Sequence, residues 1–112
     1  MVVESFSTVI PVPDLAEGVA FWARLLGVGP TFVDGDRWAQ FDVGGRRLAL
    51  AGSDRFAYVP SVMVKVDDVE AAREQLMAAG ADVSEIADGA HERRFTAVAP
   101  GGWTIAVYAS PG

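Results

Sequence analysis

One short segment of the sequence combines residue types that could carry out proton transfer. His91 is the only histidine of the chain, with Glu92 after it and Asp88 shortly before it. An imidazole titrates near neutral pH and a carboxylate can orient it, so this pair has the chemistry of a general base, while Arg47 could stabilise an anionic intermediate. A single histidine in a polar loop is more often solvated than catalytic. The segment therefore supports a metal-independent enzyme only as an alternative, with His91, Glu92 and Arg47 as its candidate catalytic residues.

The rest of the sequence lacks the usual catalytic motifs. The 112 residues contain no cysteine, which excludes disulfides, thiolate metal ligands and a cysteine nucleophile. There is no Ser-His-Asp order and no glycine-rich phosphate loop, and Gly44-Gly45 and Gly101-Gly102 are better explained as hairpin turns.

Charge and hydropathy narrow the class of partner. The formal net charge of −6 argues against nucleic acid, and no apolar run approaches the length of a membrane span. Glu4 stands where a signal peptide would need positive charge. We therefore expect a cytoplasmic protein with one domain over residues 1–112 and neither a membrane nor a nucleic acid as partner.

The first half of the chain has the pattern of a strand, a helix and three strands. Asp14 offers an N-cap three residues before Glu17, apolar residues follow at helical spacing, and Gly27 gives the stop, so a helix is expected over residues 15–26. The strands are expected near residues 5–12, 31–34, 37–43 and 46–51.

The second half repeats this order. A strand is expected at residues 61–66, and an apolar helical stripe then runs from Val69 to Ala79 before Gly80. Residues 37–50 align with residues 94–107 at a constant offset of 57, which pairs the two glycine turns. We predict an α+β fold with two tandem βαβββ modules, about 1–52 and 61–112, joined by a linker at 53–60. The modules would form a curved mixed sheet around a cavity, with the helices on the outer face.

Each helix must cover one face of its strands, which leaves the other face to line the cavity. The predicted helix-side residues are Phe6, Ile10, Val12, Leu48, Leu50, Val62, Val64, Val66, Ile105 and Val107. The opposite face mixes aromatic, small and a few polar side chains, as a pocket for a small organic molecule does, although its aromatic residues could equally fill a barrel interior or a subunit interface. Its predicted ligand-binding residues are Ser7, Trp38, Gln40, Ala49, Ser61, Met63, Phe95, Ala106 and Tyr108.

Three segments carry a resemblance to a known family. They are VIPVPDLAEGVAFWARLLG (9–27), VKVDDVEAAREQLMAAGADV (64–83) and RFTAVAPGGWTIAVYA (94–109). With the repeated strand and helix order they resemble the glyoxalase/bleomycin-resistance/extradiol-dioxygenase group, the vicinal oxygen chelate superfamily. The resemblance covers nearly the whole chain and implies the fold. It does not imply one activity, because this fold serves isomerases, dioxygenases, thiol transferases and non-catalytic drug binders.

The resemblance also implies four positions for metal ligands. Metalloenzymes of the group use His, Glu or Gln on the first strand of each module and on the strand after each glycine turn. Those positions correspond here to Ser7, Ala49, Ser61 and Ala106. Alanine has no donor atom and a neutral serine hydroxyl is a poor substitute for a carboxylate or an imidazole. We therefore expect no metal and no other cofactor.

The sequence leaves three functions open. The first is a metal-free protein of the bleomycin-resistance type that sequesters an aromatic or cationic compound such as an antibiotic, and its relatives imply a homodimer. The second is a metal-independent isomerase, lyase or cyclase that uses His91, Glu92 or Arg47. The third is a module whose apolar sheet face binds another protein.

Overall fold

The computed structural model describes residues 1–111, which contain two helices and eight strands. In chain order the elements are β1 (Val3–Pro11), α1 (Leu15–Leu26), β2 (Phe32–Asp34), β3 (Trp38–Val43), β4 (Arg46–Ala51), β5 (Ser61–Val66), α2 (Val69–Ala78), β6 (Ala87–Asp88), β7 (Arg93–Ala99) and β8 (Trp103–Ala109). The order strand, helix and three strands occurs twice, so the predicted α+β class with two βαβββ modules is confirmed. Within the described range, neither helix has the length and apolar character needed to cross a membrane.

The helix ends follow from the capping residues. The Asp14 carboxylate accepts a hydrogen bond from the Glu17 N–H at 3.1 Å, and the Asp68 carboxylate accepts one from the Ala71 N–H at 3.0 Å. At the other end of α1, Gly27 has a φ of 73° and its N–H donates to the Ala23 carbonyl. These contacts fix where each helix begins and where α1 ends, as the sequence predicts.

The contacts along the chain divide it into two compact units. The first unit is Ser7–Ser61, and the second unit combines Met1–Phe6 with the chain from Val62 onwards. Two hydrogen bonds tie the N-terminal residues to the second unit: the Val2 N–H donates to the Asp67 carboxylate at 2.6 Å, and the Asp67 N–H donates to the Val2 carbonyl at 3.1 Å. Strand β1 therefore contributes residues to both units.

In the first unit, the strands lie in the order β2-β3-β4-β1, with β1 parallel to β4 and the other neighbours antiparallel. Helix α1 packs on β3 and β4. The core beneath it consists of the buried residues Leu15, Ala39, Phe41 and Leu50, with Ile10, Val12 and Leu48 packed against them. The predicted helix side of these strands is therefore confirmed.

In the second unit, the strands lie in the order β5-β8-β7-β6, with β5 parallel to β8. Helix α2 packs on β7 and β8. The core beneath it consists of Val66, Val69, Ala72, Phe95, Ala97, Val107 and Ala109, with Val64 and Ile105 among the residues packed against them. Two predicted helix-side residues lie outside these cores: Phe6 is 74% exposed and Val62 is 36% exposed.

The sequence alignment of the two hairpins is wrong by one residue in β7. The first hairpin closes with two residues between Val43 and Arg46, whereas the second closes with three, Pro100-Gly101-Gly102, between Ala99 and Trp103. Side chains alternate along a strand, so one added residue moves every residue of β7 to the other face. Phe95 pairs with Val107 and belongs to the core under α2, where it is 1% exposed. Its predicted place on the cavity face is therefore wrong.

Candidate functional site

Each unit has one sheet face that its helix does not cover, which we call its helix-free face. In the first unit this face carries Trp38 and Gln40, because Ala39 and Phe41 between and after them point into the core under α1. Trp38 pairs with Ala51 and Gln40 pairs with Ala49. On β4 both cross-strand neighbours are alanines, whereas on β2 Trp38 pairs with Asp34 and Gln40 pairs with Phe32. The half-buried indole and amide therefore share this face with a carboxylate and a second aromatic ring.

The positions that correspond to metal ligands in relatives are equivalent in the two units. Val9 pairs with Ala49 on the parallel strands of the first unit, and Met63 pairs with Ala106 on those of the second. These pairs match under the offsets of 54 and 57 residues, so the strand pairing agrees with the predicted register at these positions. Ser7 and Ser61 precede the pairs by two residues and therefore share their face. Ser7, Ala49 and Ala106 are 4%, 0% and 2% exposed.

The nine predicted ligand-binding residues are divided between the units. Ser7, Trp38, Gln40, Ala49 and Ser61 belong to the first unit, and Met63, Phe95, Ala106 and Tyr108 belong to the second. Of the second group, Met63, Ala106 and Tyr108 lie on the helix-free face, and Phe95 lies on the other side of the sheet. That these residues line one cavity stays a prediction.

The corrected pairing brings other residues to the helix-free face of the second unit. Arg94 pairs with Tyr108 and Thr96 pairs with Ala106, so Arg94 and Thr96 occupy the places predicted for Phe95 and Ala97. On β5, Lys65 also pairs with Tyr108. Arg94, Thr96 and Lys65 are not among the residues that the sequence pattern predicts for this face. The proline before Gly101-Gly102, absent before Gly44-Gly45, is the signal that could have revealed the longer turn.

The alternative catalytic residues are not gathered in one unit. Arg47 belongs to the first unit, and His91 and Glu92 belong to the second. His91 is exposed in the loop before β7.

Arg47 is engaged across the first hairpin. Its Nε donates to Asp42 Oδ1 at 2.9 Å, and the Thr31 hydroxyl donates to Asp42 Oδ2 at 2.6 Å. The hydrogen bond from Arg47, and then that from Thr31, lower the pKa of the Asp42 carboxyl below its ordinary value. The carboxylate that holds the guanidinium therefore stays ionised at neutral pH. Arg47 therefore has a structural role, because its hydrogen bond to Asp42 links β4 to β3.

A groove that the sequence did not predict lies at the N-terminal end of α1 within the first unit. It has a volume of about 620 Å³ and is lined by Pro13, Asp14, Leu15, Ala16, Val19, Val33, Gly35, Asp36, Ser53 and Arg55. The Arg55 guanidinium donates to the carbonyls of Val12 at 3.1 Å and Gly52 at 2.9 Å, and it lies 5.8 Å from the centre of the Tyr58 ring. These contacts attach the linker to the ends of β1 and β4. Arg55 therefore has a structural role in this groove.

The repeated βαβββ module, with a helix on one face of a mixed sheet, defines the class of fold. The family model of the glyoxalase-like domain matches residues 7–108, and the chain belongs to this family. Its predicted place in the glyoxalase/bleomycin-resistance/dioxygenase superfamily is thereby confirmed.

Solved structures share this fold. The chain is similar to a protein from Legionella pneumophila described as an NAD-dependent benzaldehyde dehydrogenase, with a TM-score of 0.85, 16% identity and coverage of 96% of this chain and 100% of that one. A glyoxalase/bleomycin resistance protein/dioxygenase superfamily member from Vibrio splendidus has a TM-score of 0.70, 14% identity and coverage of 97% and 100%.

A third similar structure is the methylmalonyl-CoA epimerase from Mycobacterium tuberculosis, with a TM-score of 0.69, 19% identity and coverage of 98% and 90%. At these identities the likeness shows the fold alone. No curated protein matches the sequence significantly.

The residues at the family's metal positions do not fit a metal ion. The side chains of Ala49 and Ala106 offer no donor atom, and those of Ser7 and Ser61 offer only neutral hydroxyls. Within residues 1–111 no group of three or more histidine or carboxylate side chains is placed to hold an ion elsewhere. These four side chains therefore lack the donor set of a catalytic metal centre.

Proposed function

We propose that this protein is a metal-free member of the family that binds and sequesters a small aromatic compound. The observation that carries the proposal is the pair of equivalent strand positions Ala49 and Ala106, each buried and each without a donor atom where metalloenzymes of the group place a ligand. A chain that lacks this ligand set but keeps the fold retains the binding face without the metal chemistry.

The arrangement around Trp38 supports an aromatic ligand. Its indole is half-buried on the helix-free face of the first unit, beside the small side chain of Ala51 and two residues from the amide of Gln40. A planar ring can stack on the indole, and the amide can donate or accept one hydrogen bond. Stacking of this kind contributes about 0.5–1.5 kcal/mol beyond the area buried. The carboxylate next to Trp38 is that of Asp34 on β2, and it is already bound by Arg37, so the cationic ligand also expected from the sequence has less support than the aromatic one.

Binding of a neutral aromatic probe tests this proposal. We expect 2-naphthalenemethanol to bind the wild-type protein in saturation-transfer NMR, and we expect Trp38→Ala to weaken this binding about tenfold, which corresponds to about 1.4 kcal/mol. Trp103→Ala is the matched control, because Trp103 is 55% exposed and lies in the second unit beside the Gly101 turn. Absence of binding to the wild type, or equal binding by Trp38→Ala and the wild type, would contradict the proposal.

A further inference from the structure

The side of helix α1 that faces away from the sheet carries large apolar side chains. The residues on its sheet side, among them Leu15 and Trp22, belong to the core of the first unit or pack against it. The remaining positions form one exposed face, because residues three and four apart are neighbours on a helix. We call it the outer face of α1, and its members are Ala16, Glu17, Ala20, Phe21, Arg24 and Leu25. Phe21 is 61% exposed and Leu25 is 64% exposed.

Helix α2 shows that this fold does not require such a face. The N-caps of the two helices are equivalent at the offset of 54 residues, so Phe21 corresponds to Gln75 and Leu25 corresponds to Ala79. Gln75 and Ala79 are exposed, and α2 still packs on β7 and β8. Large apolar side chains at these positions are therefore not needed to hold the helix on its sheet. Neighbouring exposed apolar residues of this kind are typical of a contact surface.

The ring of Phe21 is ordered by its neighbour. It lies edge to face against Trp22, with 5.5 Å between the ring centres and an angle of 86° between the planes. Trp22 is half-buried and packs against the core under α1. A side chain held in this way loses little conformational freedom when a partner covers it.

The two charged residues make the outer face of α1 complementary to itself. Glu17 and Arg24 lie two helical turns apart, about 10 Å along the helix axis. Within residues 1–111, neither the Glu17 carboxylate nor the Arg24 guanidinium has a hydrogen bond or an ion pair. If two α1 helices lie antiparallel about a two-fold axis that passes between Ala20 and Phe21, Glu17 of each copy is level with Arg24 of the other. Two identical ion pairs can then form, as a two-fold interface requires.

The same axis also brings the apolar residues together. The Phe21 rings of the two copies meet at its centre, and Leu25 of each copy is level with Ala16 of the other. The small side chains of Ala16 and Ala20 allow the two helices to approach closely. One arrangement therefore matches both the charges and the sizes of the side chains on this face.

We infer that the outer face of α1 binds the same face of a second copy of this chain, with the two helices antiparallel. Phe21 and Leu25 provide the attraction, and the Glu17–Arg24 pairs set the direction and register. A contact between two helices of 12 residues is small beside a standard interface of about 1,600 Å², so the dimer forms reversibly. The family resemblance implies a homodimer, and this inference names the surface that forms it.

Sedimentation equilibrium tests the apolar part of the contact. We expect the wild type to change from monomer to dimer between about 5 and 500 μM, and we expect Phe21→Gln and Leu25→Gln each to raise the dissociation constant about tenfold. Phe21→Gln introduces the residue that α2 carries at the equivalent position, so the helix should be retained, and circular dichroism of the monomer checks this. Met77→Gln is the matched control, because Met77 is 50% exposed on α2 in the second unit, and it should leave the dissociation constant unchanged.

Charge reversal tests the direction and register. Glu17→Arg leaves only positive charges in the two ion pairs and Arg24→Glu leaves only negative charges, so each variant alone should dimerise about fivefold more weakly or worse. In an equimolar mixture of the two variants every pair joins opposite charges, and the affinity should return to within about threefold of the wild type. Mixing would not relieve a defect in the fold of either variant.

The outcomes bear on this inference separately from the proposed function. A wild type that stays monomeric over the whole range would leave the face to another protein or to no partner and would contradict the inference, as would a dimer that Phe21→Gln leaves intact. Failure of the mixture to recover affinity would show that the antiparallel register is wrong. Trp38 lies on the helix-free face, so Phe21→Gln should bind 2-naphthalenemethanol as the wild type does.

Discussion

Replacement of Phe95 by alanine is expected to lower the free energy of unfolding by about 3–5 kcal/mol. Phe95 is among the largest fully buried side chains, at 1% exposed, and it packs with Val66, Val69 and Val107 beneath α2. Loss of its ring removes buried apolar area and leaves a cavity that the neighbouring strands can close only in part. Urea denaturation followed by circular dichroism measures the change.

The neighbouring residue provides the control. Thr96 is half-buried on the other face of β7, where it pairs with Ala106, so Thr96→Ala should change the free energy of unfolding by less than about 1 kcal/mol. If Phe95→Ala were as stable as the wild type but lost affinity for aromatic probes, Phe95 would line the binding face, and the corrected pairing of the second hairpin would be wrong.

Replacement of Gly52 by alanine is expected to cost about 3 kcal/mol of stability. A Cβ atom at this position would overlap the backbone carbonyl of Asp36 and would lie 3.3 Å from the Cβ of Leu15, which is itself in the core. The approach is fixed by two hydrogen bonds, from the Gly52 N–H to the Arg37 carbonyl at 2.9 Å and from the Ser53 N–H to the Asp36 carbonyl at 3.0 Å. A backbone carbonyl held in this way cannot move aside cheaply.

This substitution should also affect the proposed site. The residue before Gly52 is Ala51, which pairs with Trp38. Displacement of the turn at Asp36 should therefore shift the indole and lower the affinity for the neutral aromatic probe. Gly29→Ala is the matched control, because Gly29 has neither a neighbour within 4 Å nor a positive φ. Equal thermal unfolding of the two variants would show that the close contact at Gly52 does not constrain the fold.

The helices and the first hairpin could be predicted because their signals are local. Asp14 and Gly27 define α1 through side-chain and backbone hydrogen bonds to residues within one turn. Gly44 and Gly45 both adopt positive φ, as a two-residue hairpin turn requires.

The face of β7 could not be predicted in the same way, because it depends on one residue in a turn. The constant offset of 57 treats Pro100 as a strand residue, whereas it belongs to the three-residue connection. The consequence is non-local: Phe95 moves into the core and Arg94 onto the helix-free face. A site predicted from the alternation of side chains along a strand is therefore correct only if the length of the turn that sets the register is assigned correctly.

The sequence pattern also could not predict how exposed the residues near the ends of the strands are. Phe6 alternates in phase with Ile10 and Val12, yet it is 74% exposed, because the core under α1 extends along β1 only as far as those two residues. Trp103 follows a glycine turn and is 55% exposed, with its indole against Gly101. The periodicity of a strand indicates on which face of the sheet a residue lies. Whether that residue is buried depends on how far the helix extends over that face.

The metal content of the purified protein tests the central claim most directly. Protein prepared without chelators, and then equilibrated with Mn²⁺, Fe²⁺, Ni²⁺ or Zn²⁺ and desalted, should contain far less than one ion per chain by plasma mass spectrometry. Treatment with EDTA should leave the affinity for the neutral aromatic probe unchanged. One tightly held ion per chain, whose removal abolishes probe binding, would contradict the claim that side chains such as those of Ala49 and Ala106 leave this fold with binding but without metal chemistry.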